Sequence, residues 1–112
     1  MSKIITVGYG DVYKVQIGGL HPLAFVGGPC AIENRDHTLY MAGLIADICE
    51  KIDIPWIYKS CYDKDCRSSP KSFHGVGIDE GLKILSEVRE TYKVPVVSDF
   101  SDSSWAATTG EV

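Results

Sequence analysis

No apolar run in this 112-residue chain approaches the roughly 18 residues that a membrane-spanning helix needs, so no spanning segment is expected. The opening MSKIITVGYGD also lacks the long apolar core of a secretory leader, which makes a cytoplasmic protein the expectation. Positive charge is not in excess: 11 Lys and Arg against 15 Asp and Glu leave a net charge of −4 and a pI of about 5.2. Nucleic acid and anionic membrane both favour a basic face, so neither is expected as a partner. A local basic cluster can still hold a phosphate within an acidic protein. The four cysteines, Cys30, Cys49, Cys61 and Cys66, contain no CxxC pair, which argues against a zinc knuckle or a thioredoxin-like centre and suits reduced thiols. There is no low-complexity linker and no sign of a second domain. The glycines of GVGIDEG follow a loop instead of a strand, so they do not form a dinucleotide fingerprint.

What is present is an ordinary globular composition, 45% apolar and 23% charged, in a length that suits about one small domain. KIITVGYGDVYKVQIGG alternates loosely around Gly8-Tyr9-Gly10-Asp11, the pattern of a short hairpin. LAFVGG, residues 23–28, predicts a buried strand ended by Gly-Gly-Pro. Residues 36–52 then change period, with Met41, Leu44, Ile45, Ile48 and Ile52 at helical spacing and Asn34 or Asp36 as N-cap. A second strand follows over 54–60, its proline at the start, where a missing N–H does least harm. A second helix spans 78–92 on the stripe Ile78, Leu82, Leu85, Val88 and Tyr92, with Asp79 and Glu80 in its favourable first turn. Residues 94–99 predict a third strand and 103–112 the start of a further amphipathic helix. The two helix-to-strand joints, KIDIPWIYKS and TYKVPVVSDF, resemble each other. Strands alternating with helices imply right-handed βαβ units around a parallel sheet.

In such folds ligands gather at the C-terminal ends of the strands. The first strand delivers Gly27-Gly28-Pro29-Cys30 there, the second delivers Lys59 and the loop KSCYDKDCRSS, and the third delivers Ser98-Asp99. Each residue has a plainer reading as well. Cys30 suits packing in a turn, Lys59 suits snorkelling from a strand end, and Asp99 suits capping a following helix. Lys64 and Arg67 read either as a solvated loop or, with Ser68-Ser69, as a phosphate cradle. His21, His37 and His74 fit loop, capping or surface positions better than ligation. Together the residues predict an α/β site for a small phosphorylated anion and do not name a reaction.

Three stretches do carry a resemblance: GGPCAIENRDHTLYMA, IPWIYKSCYDKDCRSS and GVGIDEGLKILSEVRETYKVPVVSD, in that order. They resemble the N-terminal part of the 3-deoxy-8-phosphooctulonate (KDO 8-phosphate) synthases, within the wider family that includes DAHP synthases. The likeness runs from about Pro22 to the end. It implies one partial TIM-barrel domain over 1–112, with residues 1–20 as an N-terminal hairpin closing the bottom and 22–112 as the first three of eight βα units. It implies condensation of phosphoenolpyruvate with arabinose 5-phosphate, on the route to the lipopolysaccharide sugar KDO, by a transferase that works as a homo-oligomer, in the family a tetramer. By match to the motifs, Lys59 and Lys64 would contact phosphoenolpyruvate in a catalytic role. Arg67 and Ser68 would hold the sugar phosphate, and Asp99 would meet the sugar hydroxyls. Cys66 stands at a substrate-binding position. Cys30, after Gly-Pro, is similar to the thiolate of the metal-dependent class, implying a divalent metal whose other ligands lie on later strands.

The sequence also departs from the family pattern. Cys66 replaces an asparagine that hydrogen-bonds the sugar, Cys61 a serine, His74 an arginine and Ser101 a histidine. Two other readings therefore stand beside the octulosonate synthase. One is an inactive α/β module that binds a phosphorylated ligand; the other is a DAHP synthase taking erythrose 4-phosphate.

Overall fold

The computed structural model describes residues 3–63 and 75–112. It begins with β1 (Ile5–Val7) and β2 (Val15–Ile17), an antiparallel hairpin that pairs Ile5 with Ile17 and Val7 with Val15. β3 (Phe25–Gly27), α1 (Arg35–Lys51), β4 (Trp56–Lys59), α2 (Ile78–Tyr92) and β5 (Val96–Val97) follow. A 3-10 turn (Ser103–Trp105) and a short α3 (Ala106–Thr109) end the chain. The three later strands form one parallel sheet in the order β3-β4-β5. The expected alternation of strand and helix around a parallel sheet is therefore what the chain forms.

α1 starts at Asn34, whose side chain accepts a 2.8 Å bond from the His37 amide and so satisfies one of the unpaired donors of the first turn. Asp36 lies inside the helix. The apolar stripe predicted for this helix is met in part, since Ile45 packs against the core and Met41 is partly buried. Leu44, Ile48 and Ile52 are exposed, and the buried positions are Thr38, Ala42 and Cys49. Small side chains let the helix approach β4 and α2 closely, and this outweighs the larger side chains one position further round. α2 behaves as its periodicity predicts, with Leu82, Leu85 and Val88 buried and with Gly81 and Ile84 added to the face. Full burial of a residue such as Leu85 contributes about 1.5–3 kcal/mol before entropy is counted.

The core lies between the helices and the helix-facing side of β4. Trp56, Tyr58 and Tyr62 pack there with Ile32, Leu85, Val88 and Val94. Trp56 and Tyr58 meet edge to face at 5.8 Å, and the Trp56 indole donates to the Gly27 carbonyl at 3.1 Å. β4 is central and buried. β3, expected to be buried, is half-open, with Phe25 42% and Val26 47% exposed, because a sheet-edge strand has a neighbour on one side only. The strands are also shorter than the apolar runs that predict them.

The two α-to-β joints are built alike. Asp53 and Lys93 both take the left-handed conformation at φ 54°, followed by an apolar residue and a proline. Each proline carbonyl then accepts from the preceding strand: Phe25 N–H to Pro55 at 2.8 Å, Tyr58 N–H to Pro95 at 2.9 Å. The hairpin is fastened at this same end of the sheet. The Tyr13 amide donates to Lys93, its hydroxyl donates to the Trp56 carbonyl, and Val15 is fully buried. The hairpin does not extend to the opposite end, where the strands finish.

Candidate active site at the strand ends

β3 and β4 run in register from Phe25–Trp56 to Gly27–Tyr58, and an isolated parallel bridge then joins Ala31 to Cys61. From Gly27 to Ala31 is four steps and from Tyr58 to Cys61 is three, so the first strand carries one extra residue around Pro29-Cys30. Such a bulge re-aims a side chain at a strand end. Gly28 is required beside it, because a Cβ there would run into the Lys59 carbonyl oxygen. The turn is fixed by Ser60, whose hydroxyl donates to the Pro29 carbonyl at 2.6 Å, and by the Cys61 amide, which donates to Cys30 at 3.3 Å. Cys30 is left exposed at the mouth of a cleft of about 210 Å³ that Lys59 and Cys61 also line.

Lys59 follows three buried residues and emerges half-exposed from the central strand. Its Nζ stands 3.7 Å from Oδ1 of Asp99, which follows β5. The other carboxylate oxygen, Oδ2, accepts from the Cys61 thiol at 3.5 Å. Ser98 steadies this corner by accepting the Tyr62 amide at 3.4 Å and donating to the Asp99 carbonyl at 3.0 Å. The Lys59–Asp99 pair is too exposed to be chiefly structural, since such pairs contribute less than about 1 kcal/mol. An ammonium, a carboxylate and two thiols thus converge on the strand ends.

The structure brings together Cys30, Lys59 and Asp99 of the residues singled out in sequence. Lys64, Cys66, Arg67, Ser68 and His74 lie outside the described residues. His37 serves the start of α1, with Nδ1 3.7 Å from Glu33. Cys49 is a core residue whose thiol is pushed up by burial, away from the thiolate that a ligand or nucleophile requires. Cys61 is the residue that sequence reasoning passed over. Its alternation with Lys59 on one strand was the available signal, since residues two apart share a face. A zinc-like site takes about four donors. Among the described residues no group of three or more His, Cys, Asp or Glu is arranged to hold a metal ion, so Cys30 has no complete ligand set beside it.

A larger hollow of about 380 Å³ lies between the hairpin, α2 and β5. Its lining is mostly apolar, with Ser98 and Thr109 contributing hydroxyl residues. Arg89, the charged residue in that lining, already donates to the Tyr9 carbonyl and stacks over the Tyr9 ring at 4.7 Å. Among the described residues no helix is long and apolar enough to cross a membrane.

A family model described as the DAHP synthetase I family matches residues 3–112. The 2-dehydro-3-deoxyphosphooctonate aldolase of Rickettsia rickettsii (strain Sheila Smith) is 42% identical over 112 residues, covering all of this chain and 39% of that protein. The protein of the same name from Bordetella petrii is 49% identical over 88 residues, 79% of this chain and 31% of that one. The one from Synechococcus sp. is 41% identical over 111 residues, 99% of this chain and 38% of that one. The match thus spans 31% to 39% of the length of these curated relatives.

Proposed function

The chain belongs to the DAHP synthetase I family, and on that footing we propose that it carries the N-terminal share of a 3-deoxy-8-phosphooctulonate synthase. The reaction joins phosphoenolpyruvate to arabinose 5-phosphate. Carbon 3 of the enol attacks the sugar aldehyde, water adds at carbon 2, and the carbon 2–oxygen bond to phosphate breaks. The products are 3-deoxy-D-manno-octulosonate 8-phosphate and inorganic phosphate. The parallel sheet would be the first three βα units of a (β/α)8 barrel, within one domain over 1–112 that the 1–20 hairpin closes from below.

The observation that carries this reading is the meeting of Lys59 with Asp99 at the strand ends, beside Cys30. Two anionic substrates have to be held against each other, and positioning supplies much of such catalysis. Lys59 would bind phosphoenolpyruvate through charge-assisted hydrogen bonds, with Lys64 beside it. Arg67 and Ser68 would take the sugar phosphate, Cys66 would line the sugar site and Asp99 would accept from the sugar hydroxyls. Cys30 would give one thiolate to a divalent metal, which orients or activates water when bound. The described residues do not complete that ligand set, and no step here depends on it. A cytoplasmic homo-oligomer is the setting we propose; the exposed Tyr40, Leu44 and Ile48 of α1, with Ile52 at its C-cap, form a surface that association would cover.

The second reading, an inactive module that binds a phosphorylated ligand, is favoured by the departures from the family pattern at Cys66, His74 and Ser101. A DAHP synthase is the less favoured enzyme, since the relatives compared above carry the octonate name. Calorimetric titration of the chain with phosphoenolpyruvate tests the common ground. Binding is expected, and Lys59→Ala should weaken it at least tenfold, in line with loss of a charged hydrogen bond worth about 1.5–3 kcal/mol. No binding by a chain shown to be folded by circular dichroism would overturn the site assignment. Phosphate release that requires both substrates would decide against the inactive module, and a preference for erythrose 4-phosphate would decide for the DAHP synthase.

A further inference from the structure

Asp99 lies between two donors of different strength. A carboxylate free to approach an ammonium settles at about 2.7–2.9 Å. Here Nζ of Lys59 stands 3.7 Å from Oδ1, although Asp99 is 61% exposed and nothing in its own burial fixes its torsions. Its other oxygen, Oδ2, is engaged by the Cys61 thiol at 3.5 Å. Cys61 is the rigid member of the three. Its side chain is buried, its amide donates to Cys30 at 3.3 Å and its carbonyl accepts from Ile32 at 3.0 Å. A thiol is a weak donor that leaves much of a carboxylate's charge unsatisfied. It can orient Asp99 without neutralising it.

We propose that Cys61 is a positioning residue that anchors Asp99 through Oδ2 and holds its carboxylate off Lys59, so that the ammonium stays available to the phosphate or carboxylate of an anionic substrate. The role rests on the reading of Lys59 as an anion contact, and it adds the group that keeps this contact open. Without the thiol, Asp99 closes onto Lys59 and competes with the incoming anion. A hydroxyl at the same position keeps a donor and keeps the carboxylate in place.

The direct test needs no substrate. Lys59 is acylated under pulse conditions with acetic anhydride, and its rate is read by peptide mass spectrometry relative to exposed Lys51. Cys61→Ala should slow Lys59 about threefold, the scale of one modest hydrogen bond, and Cys61→Ser should restore the rate. In an Asp99→Asn background, Cys61→Ala should have no effect, because there is no carboxylate left to release. An unchanged rate in Cys61→Ala, or the same slowing when Cys61→Ala is combined with Asp99→Asn, overturns the proposal. Phosphoenolpyruvate titration of the same variants then separates this from the reading beneath it. A matching threefold loss of affinity in Cys61→Ala supports both. The acylation pattern in a chain that binds no phosphoenolpyruvate would uphold the role of Cys61 and overturn the role of Lys59.

Discussion

At the scale of single residues, close backbone approach decides more than propensity does. Gly81 lies inside α2, where alanine is favoured by about 1 kcal/mol in an open helix. It is buried, and a Cβ there would strike the Cβ of Tyr62. Tyr62 has little room to retreat, since it is fully buried, with its hydroxyl 2.8 Å from that of Thr109 and its ring 6.0 Å from Trp105. Gly81→Ala should therefore destabilise the chain by about 1–3 kcal/mol despite the better helix former. Urea unfolding followed by circular dichroism would measure it, and an increase in stability would show that Tyr62 moves freely. At this scale the sequence was legible where a residue announces its chemistry, as Lys59 and Asp99 do at strand ends. The alternation of Cys61 with Lys59 was legible, but the aim of its thiol at Asp99 was not, because only the packing of β4 against β5 determines it.

Among the elements, the two long helices show what periodicity can and cannot convey. α2 follows its apolar stripe because its large side chains are the ones that fill the core. α1 does so only in part: Ile45 packs against the core, while close approach to β4 and α2 buries Thr38, Ala42 and Cys49 in place of Leu44 and Ile48. The order of strands and helices was readable from the change of period, whereas the half-open state of β3 follows from its place at the sheet edge, which no local pattern encodes. The helices are also clamped at their surface by Arg35 and Glu87, with Nε donating to Oε2 at 2.8 Å and a second guanidinium nitrogen donating to Oε1. The Arg35 guanidinium holds the Glu87 carboxyl below its ordinary 4.5, and the same pairing raises Arg35. A carboxyl lowered on folding adds stability above its unfolded value and loses it as pH falls through its folded one. Glu87→Gln should thus lower the urea midpoint at pH 7, with the difference from the parent shrinking as the pH falls below 4.5. A difference that persists undiminished in acid would mean that the pair acts through packing instead of charge.

For the whole molecule, β4 is flanked on both sides by β3 and β5 and is buried up to Lys59, and the hairpin covers the end away from the candidate site. Chemistry and structural closure are therefore kept at opposite ends, which lets the strand-end loops vary without disturbing the hairpin's hold on Trp56 and Lys93. The twin joints at Asp53-Ile54-Pro55 and Lys93-Val94-Pro95 carry a consequence for engineering. Two peptides with the same backbone path and the same carbonyl acceptor are interchangeable parts. Grafting Lys-Val-Pro onto positions 53–55 should leave the fold intact at a cost of about 0.5–1.5 kcal/mol, that of trimming Ile54 to valine. The reciprocal graft should cost more, because Lys93 also donates to Asp11 at 2.9 Å and an aspartate in its place would face another. Thermal melts of the two grafts would show this asymmetry. The joints are then told apart by their outward charge and by one methylene at the apolar position, and the backbone they share is a standard coupling.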